Sequence, residues 1–257
     1  MNELSQVIDA AQAAFDKIRF YELLYGERPE SVDDVSFISY VQYFRATGVL
    51  DCIDRSATLA GVIPPFHRHV RRFPYSVVES EQDLVKRQER IVRALKDTRV
   101  PDEWKRFLII TSDENGPFAC DLAVGLGWEQ HVPSIFYFTG NREAIQSQVD
   151  AHRPDYVFWC LPQPPQEYLA FPDDRIILAH HIDHPIPDSP HKVWLFADEV
   201  NLIGSRPEDR TTFDIDRSQF FLEREERSGR LHLTTLSAET LPLIRYALAH
   251  DIPGGTG

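Results

Sequence analysis

Apolar residues at Leu4, Val7, Ile8, Ala11, Phe15, Ile18 and Leu23 recur at three- and four-residue spacing. That pattern predicts an amphipathic helix over 3–24, stopped by Gly26. Ser31-Val-Asp-Asp34 has the make-up of a capped short helical turn, and the aromatic run over 40–50 reads as a strand entering a loop at Gly48. A second long helix follows over 79–96. Leu84, Val85, Gln88, Ile91, Val92 and Leu95 form its apolar face, and its charged residues are expected to face solvent.

From Arg106 the period changes. Arg106–Ser112, Ser134–Phe138 and Tyr156–Cys160 are compact apolar runs, separated by helical patterns near 117–127 and over 142–151. Short runs that apolar are expected of strands buried on both faces, and their alternation with helices predicts βα units in a parallel sheet. Ile176-Ile-Leu-Ala and Lys192–Phe196 add two further strands. Beyond Gln219, the chain reads as a hairpin turning at Ser228-Gly229. The expected fold class is α/β: parallel-rich sheets flanked by helices, with a small β-rich C-terminal portion. The portions expected are 1–105, helical and α+β; 106–200, central α/β; and 201–257, β-rich.

Composition narrows the function. With 257 residues, 42% of them apolar, the chain can bury a sizeable core. Its 27 basic and 40 acidic residues give a formal charge of -13, which repels phosphate backbones and anionic lipid, so neither nucleic acid nor a membrane surface is an expected partner. Cys52, Cys120 and Cys160 are widely spaced, with no paired motif, which fits a reducing cytoplasm. The N-terminus has neither the basic nor the apolar region of a signal peptide, and no run is long enough to span a membrane.

Several segments resemble one family. Gly229-Arg-Leu-His-Leu-Thr-Thr-Leu236, followed by Pro242-Leu-Ile-Arg-Tyr246 and Asp251, is similar to the Gly-Glu-Leu-x-x-Thr-Thr-Leu and Pro-Leu-Ile-Arg-Tyr-Arg-Thr-Gly-Asp motifs of adenylate-forming acyl ligases, the phenylacetate-CoA ligase branch in particular. Phe20-Tyr-Glu-Leu-Leu-Tyr-Gly26, Arg153-Pro-Asp-Tyr-Val-Phe-Trp-Cys-Leu-Pro162 and Leu195-Phe-Ala-Asp-Glu-Val200 resemble other segments of that branch, in the same order. The resemblance implies the fold of the large N-terminal ligase domain. It also implies ATP or AMP with magnesium, Glu199 as the magnesium-binding and catalytic acid, Asp198 beside the phosphates, and Asp251 on the ribose. A small carboxylate or acyl substrate and a homodimer are implied as well.

The departures are chemical. Such ligases neutralise the leaving pyrophosphate with a Ser/Thr/Gly-rich loop ending in Gly-x-Pro-Lys, and this sequence has none. The Arg-Thr-Gly before the ribose-binding Asp is also missing, and the small C-terminal lid domain is expected to be absent. His180-His-Ile-Asp-His184 falls where the family has an acyl-pocket turn. Three imidazoles so close admit a zinc site at His180, His181 and His184, a general base at His181, or plain loop histidines. Asp113 and Glu114 read as helix caps, Cys52 as a structural thiol, and His67–Arg72 as a solvated basic loop. Three functions follow: a divergent acyl ligase of specialised biosynthesis, a non-catalytic relative that binds a partner ligase or carrier protein, and a metal-dependent enzyme at the histidines.

Overall fold

In a computed structural model of the chain, residues 3–39, 42, 52, 54, 66–69, 76–182, 184, 189–197, 200–236 and 240–248 are described. The strand and loop expected over 40–50 fall almost wholly outside them. Two compact units form, one from Met1–Val85 with Ile215–Gly257 and the other from Lys86–Asp214.

In the first unit the N-terminal helix expected over 3–24 divides into α1 (Glu3–Lys17) and α2 (Arg19–Tyr25). The break is at Ile18, whose φ of -120° and ψ of 118° are extended, so the apolar pattern crosses a corner it does not reveal. Gly26 ends α2 at φ 73°, in the region that favours glycine. Strands β1 (Phe66–His69) and β2 (Ser76–Glu79) pair antiparallel, which places His67 and His69 in a strand instead of the expected loop. A helix, α3 (Glu81–Asp97), leads into the second unit.

The second unit contains β3 (Arg106–Thr111), α4 (Gly116–Trp128), β4 (Val132–Tyr137), α5 (Arg142–His152), β5 (Tyr156–Cys160), β6 (Ile176–His181), β7 (Lys192–Ala197) and β8 (Asn201–Arg206). With the short β9 (Asp214–Ile215) they give the sheet order β4-β3-β5-β6-β7-β8-β9. All pairs from β4 to β7 are parallel, as the apolar runs predict; β8 returns antiparallel to β7. On one face Phe107, Ile109, Phe158, Ile177 and Trp194 pack with Ile91 and Leu95 of α3 and with Phe118, Leu122 and Leu126 of α4. Strand parity buries Leu108, Ile110, Val157 and Trp159 on the other face. Edge strand β4 tolerates Pro133 because Val132 and Phe138 turn their N–H groups to Lys105 and Thr111 next to and in β3, so alternation leaves the odd residue facing outward.

The first unit closes with β10 (Phe220–Arg224), β11 (Leu231–Thr235) and β12 (Tyr246–Ala247), an antiparallel set in that order. The hairpin turns where expected, with Gly229 at φ 68°. No helix among the described residues is long and apolar enough to cross a membrane.

Candidate functional site

A doubly wound sheet has its natural ligand crevice where the strand order reverses, outside the carboxyl ends of the strands. Here the chain runs from β3 outward to β4 and then back across to β5, so the reversal lies between β3 and β5. Asn115 sits at that point as the N-cap residue of α4, in place of the expected Asp113 or Glu114. Its Nδ2 donates to the Cys160 carbonyl at the end of β5 at 2.5 Å. Its Oδ1 has no hydrogen-bond partner among the described residues, although the residue is buried. An acceptor in that state suits an N–H or O–H donor of a ligand or a bound water.

The core packed under α4 is apolar and tight. Phe118, one turn into α4, stacks on Phe196 of β7 with centroids 4.0 Å apart. The His181 ring meets the same Phe196 edge-on at 5.0 Å. Gly116 sits at a close approach: a Cβ there would lie 3.1 Å from Cε1 of Tyr137 at the end of β4, and the ring would have to shift slightly to admit it. Burial, then the adjoining Cys120 thiol and Asp113, hold the Tyr137 phenol above its ordinary pKa. Burial alone raises the Cys160 thiol well above its usual range, so it stays a neutral, unreactive group.

The histidine cluster is only partly assembled. His180 and His181 are successive strand residues and therefore leave opposite faces of β6. His184 closes a turn, its N–H donating to the His181 carbonyl at 3.1 Å, while His180 Nε2 lies 3.2 Å from the His184 carbonyl. The His184 ring is 6.2 Å from that of His180 and 6.3 Å from that of His181. Among the described residues no group of three His, Cys, Asp or Glu side chains is placed to hold a metal ion. The zinc expectation at His180, His181 and His184 thus gains no geometry among the described residues, and His181 is buried with its ring against Phe196. Asp198, Glu199 and Asp251, assigned to nucleotide and magnesium by resemblance, lie outside the described residues.

Two features escape a reading of the sequence. Arg87 and Arg90, on the supposedly solvated face of α3, are buried at 4% and 6% exposure. The other is the role of the ligase-like C-terminal motif in the first unit. Leu243 N donates to Thr235 Oγ1 and Arg245 N to Thr234 Oγ1, each at 3.0 Å. Tyr21 Oη accepts from Ile244 N and donates to the Pro242 carbonyl, both at 3.0 Å. Arg245 binds Glu223 through two 2.8 Å bonds and donates to the Val32 and Val35 carbonyls. These motif residues therefore have an architectural role, which rests on bonds to residues more than 200 positions away at Tyr21, Val32 and Val35. The same unit has an open cavity of about 380 Å³, floored by Ala10, Ala13 and Ala14 of α1 and by Pro242.

No family model matches the chain, and no curated protein matches it in sequence. Solved structures do. A 2-hydroxyisobutyryl-CoA ligase in the postadenylation state, in complex with R3-HIB-AMP, aligns over 99% of this chain with a TM-score of 0.73 and 13% identity. The same ligase in complex with 2-HIB-AMP and CoA, in the thioesterification state, aligns over 99% with a TM-score of 0.69 and 12% identity. This chain spans 64% and 65% of the length of those two ligase chains. The fold is that of the N-terminal domain of an adenylate-forming ligase.

Proposed function

We propose that this protein handles an activated acyl group: it binds a carboxylate, acyl-adenylate or other activated acyl substrate as a divergent acyl- or aryl-CoA ligase-like protein of specialised biosynthesis. The observation that carries this reading is the fold match over 99% of the chain to a ligase that binds an acyl-AMP. The buried Oδ1 of Asn115 at the carboxyl end of the parallel strands supports it, because an acceptor in that place suits a polar donor of a bound substrate. In this reading ATP or AMP with magnesium is held with the help of Asp198, Glu199 and Asp251. Because the sequence has no Gly-x-Pro-Lys loop, the adenylation step itself is assigned to a partner, or the substrate arrives already activated. The wide spacing of Cys52, Cys120 and Cys160, with no paired motif, fits a cytoplasmic setting.

The missing phosphate loop also supports a second reading, in which the protein is non-catalytic and binds a partner ligase or carrier protein. Calorimetric titration with Mg-ATP, AMP and a non-hydrolysable aryl-adenylate mimic separates the two, repeated with Glu199→Ala and, independently, with Asp251→Ala. Binding of the mimic that either substitution weakens supports the first reading. Failure of the wild-type chain to bind any of the three rejects it and leaves the second.

A further inference from the structure

We propose that this chain forms a twofold dimer by pairing edge strand β4 with β4 of a second copy, burying the aromatic strip beside that edge. The inference concerns the second unit alone and does not depend on the acyl-group reading above. Among the described residues β4 ends the seven-stranded sheet, so one side of its backbone has no strand against it. Val132 and Phe138 donate inward. The alternation between them turns the N–H groups of Ile135 and Tyr137 outward, together with the carbonyls of Pro133, Ile135 and Tyr137. Proteins guard such an edge with charge, a bulge, a proline or a covering loop. Here Pro133 removes one N–H near the start of the strand, and no charged residue occurs from Val132 through Gly140. The rest of the edge stays open to pairing.

The helix over that edge is equally bare. Helix α4 packs over β4, and its one charged residue, Asp121, is turned inward to Arg87 at 3.1 Å and Asn201 at 2.7 Å. On its outer side Cys120, Val124 and Trp128 follow at four-residue spacing, all exposed. Five of the eight large apolar residues exposed among the described residues belong to α4, to β4 or to Trp104, the neighbour of the Lys105 that binds Val132. They are Trp104 at 63%, Val124 at 48%, Trp128 at 51%, Val132 at 50% and Tyr137 at 41%. Taking about 200 Å² for a whole aromatic residue and about 100 Å² for a valine, they expose roughly 400 Å². That is about half of the roughly 800 Å² each partner gives to a stable dimer, and interfaces are themselves a little over half non-polar. The formal charge of -13 makes two copies repel over most of their surface, so a strip without charge is where they can meet. A twofold contact uses the same patch on both copies. With the axis at Ile135 or Phe136, each copy donates its two outward N–H groups to the partner's outward carbonyls. Because the pairing is antiparallel, the carboxyl ends of the two parallel sheets face opposite ways, and so do the candidate sites at Asn115.

Sedimentation equilibrium of the full chain should give the mass of two copies, against 29.6 kDa for one. Trp128→Glu and Val132→Lys place charge of either sign on exposed positions of the strip. Each should weaken the dimer at least tenfold, with the circular dichroism spectrum unchanged. Leu23→Lys, at an exposed position of α2 in the first unit, should leave the dimer intact. Hydrogen exchange reads the edge without any substitution. The Ile135 and Tyr137 amides should slow at least tenfold from dilute to concentrated protein, while Phe136, by the same alternation already bonded to β3, changes less than twofold. A monomeric wild-type chain overturns the proposal, as does a dimer that survives both charged variants. Exchange at Ile135 and Tyr137 that is independent of concentration overturns it too. A monomer that floats with phosphatidylcholine vesicles assigns the strip to lipid instead.

Discussion

Gly125→Ala probes the contact between α3 and α4 on the sheet. In an ordinary exposed helix interior the added methyl stabilises by about 1 kcal/mol, because glycine has the greater backbone freedom to lose. At Gly125 a Cβ would lie 2.6 Å from Ile91 Cγ2 and 2.9 Å from Gln88 Oε1. Carbon pairs are most favourable at about 3.5–4.0 Å, so the methyl cannot enter without displacing the fully buried Ile91. Overpacking of this kind costs about 1–3 kcal/mol. Since the contact is more than half an ångström inside normal approach, the upper half of that range applies, for a net loss of about 1–2 kcal/mol. Gly127→Ala is the internal control. It is on the same helix, meets nothing within 4 Å, and should stabilise by about 0.5–1 kcal/mol. All four tryptophans, Trp104, Trp128, Trp159 and Trp194, belong to the second unit, so tryptophan fluorescence follows its unfolding selectively. With a urea slope of about 2 kcal/mol per molar, the two variants should differ in midpoint by about 1 M. Equal midpoints, or a more stable Gly125→Ala, would refute the packing argument.

Three further outcomes are expected. Arg245→Met leaves Glu223 charged, mostly buried and without its two guanidinium bonds, and should destabilise the first unit by about 3–5 kcal/mol; a loss under 1 kcal/mol, followed by hydrogen exchange in β10 and β11, would contradict its role. Tyr21→Phe strips partners from the buried Ile244 N–H and Pro242 carbonyl and should cost about 1–3 kcal/mol in the same exchange measurement. Burial lowers the pKa of His131 below 6.5, chiefly by desolvation, and its Nδ1 accepts from the Lys105 N–H. A base with a lowered folded pKa contributes stability that is present above the unfolded value and lost as pH falls, because the unfolded chain takes up the proton first. The tryptophan-detected urea midpoint should therefore drop between pH 7.5 and 5.5, and His131→Asn, which keeps an acceptor, should flatten that slope.

How much could be read from the sequence varies along the chain. The apolar runs around Ile109, Phe158 and Trp194 identified the parallel strands because strands buried on both faces leave no room for polar alternation. Strand β8, with Gly204 and Ser205 among its residues, has no such signature and takes its conformation from pairing with β7. The histidines were conspicuous by their density at the end of an expected strand, yet on that strand His180 and His181 leave opposite faces, which the density did not reveal. Asn115 and Asn201 gave no signal, since a lone asparagine is unremarkable until its environment is known.

The sequence by itself determined the periodic elements, the hairpin turn at Gly229 and the α/β class. These depend on steric and hydrophobic preferences between residues a few positions apart. Only the tertiary structure decided the corner at Ile18, the strand order that reverses beside Asn115, the bonds of Asp121 with Arg87 and Asn201, and the partners of Arg90 and Arg245. Those partners are up to 213 residues away in sequence for Arg245 and 110 for Arg90. A buried charge is tolerated only where folding brings its counter-charge or carbonyl within hydrogen-bond reach, and no local pattern records that meeting.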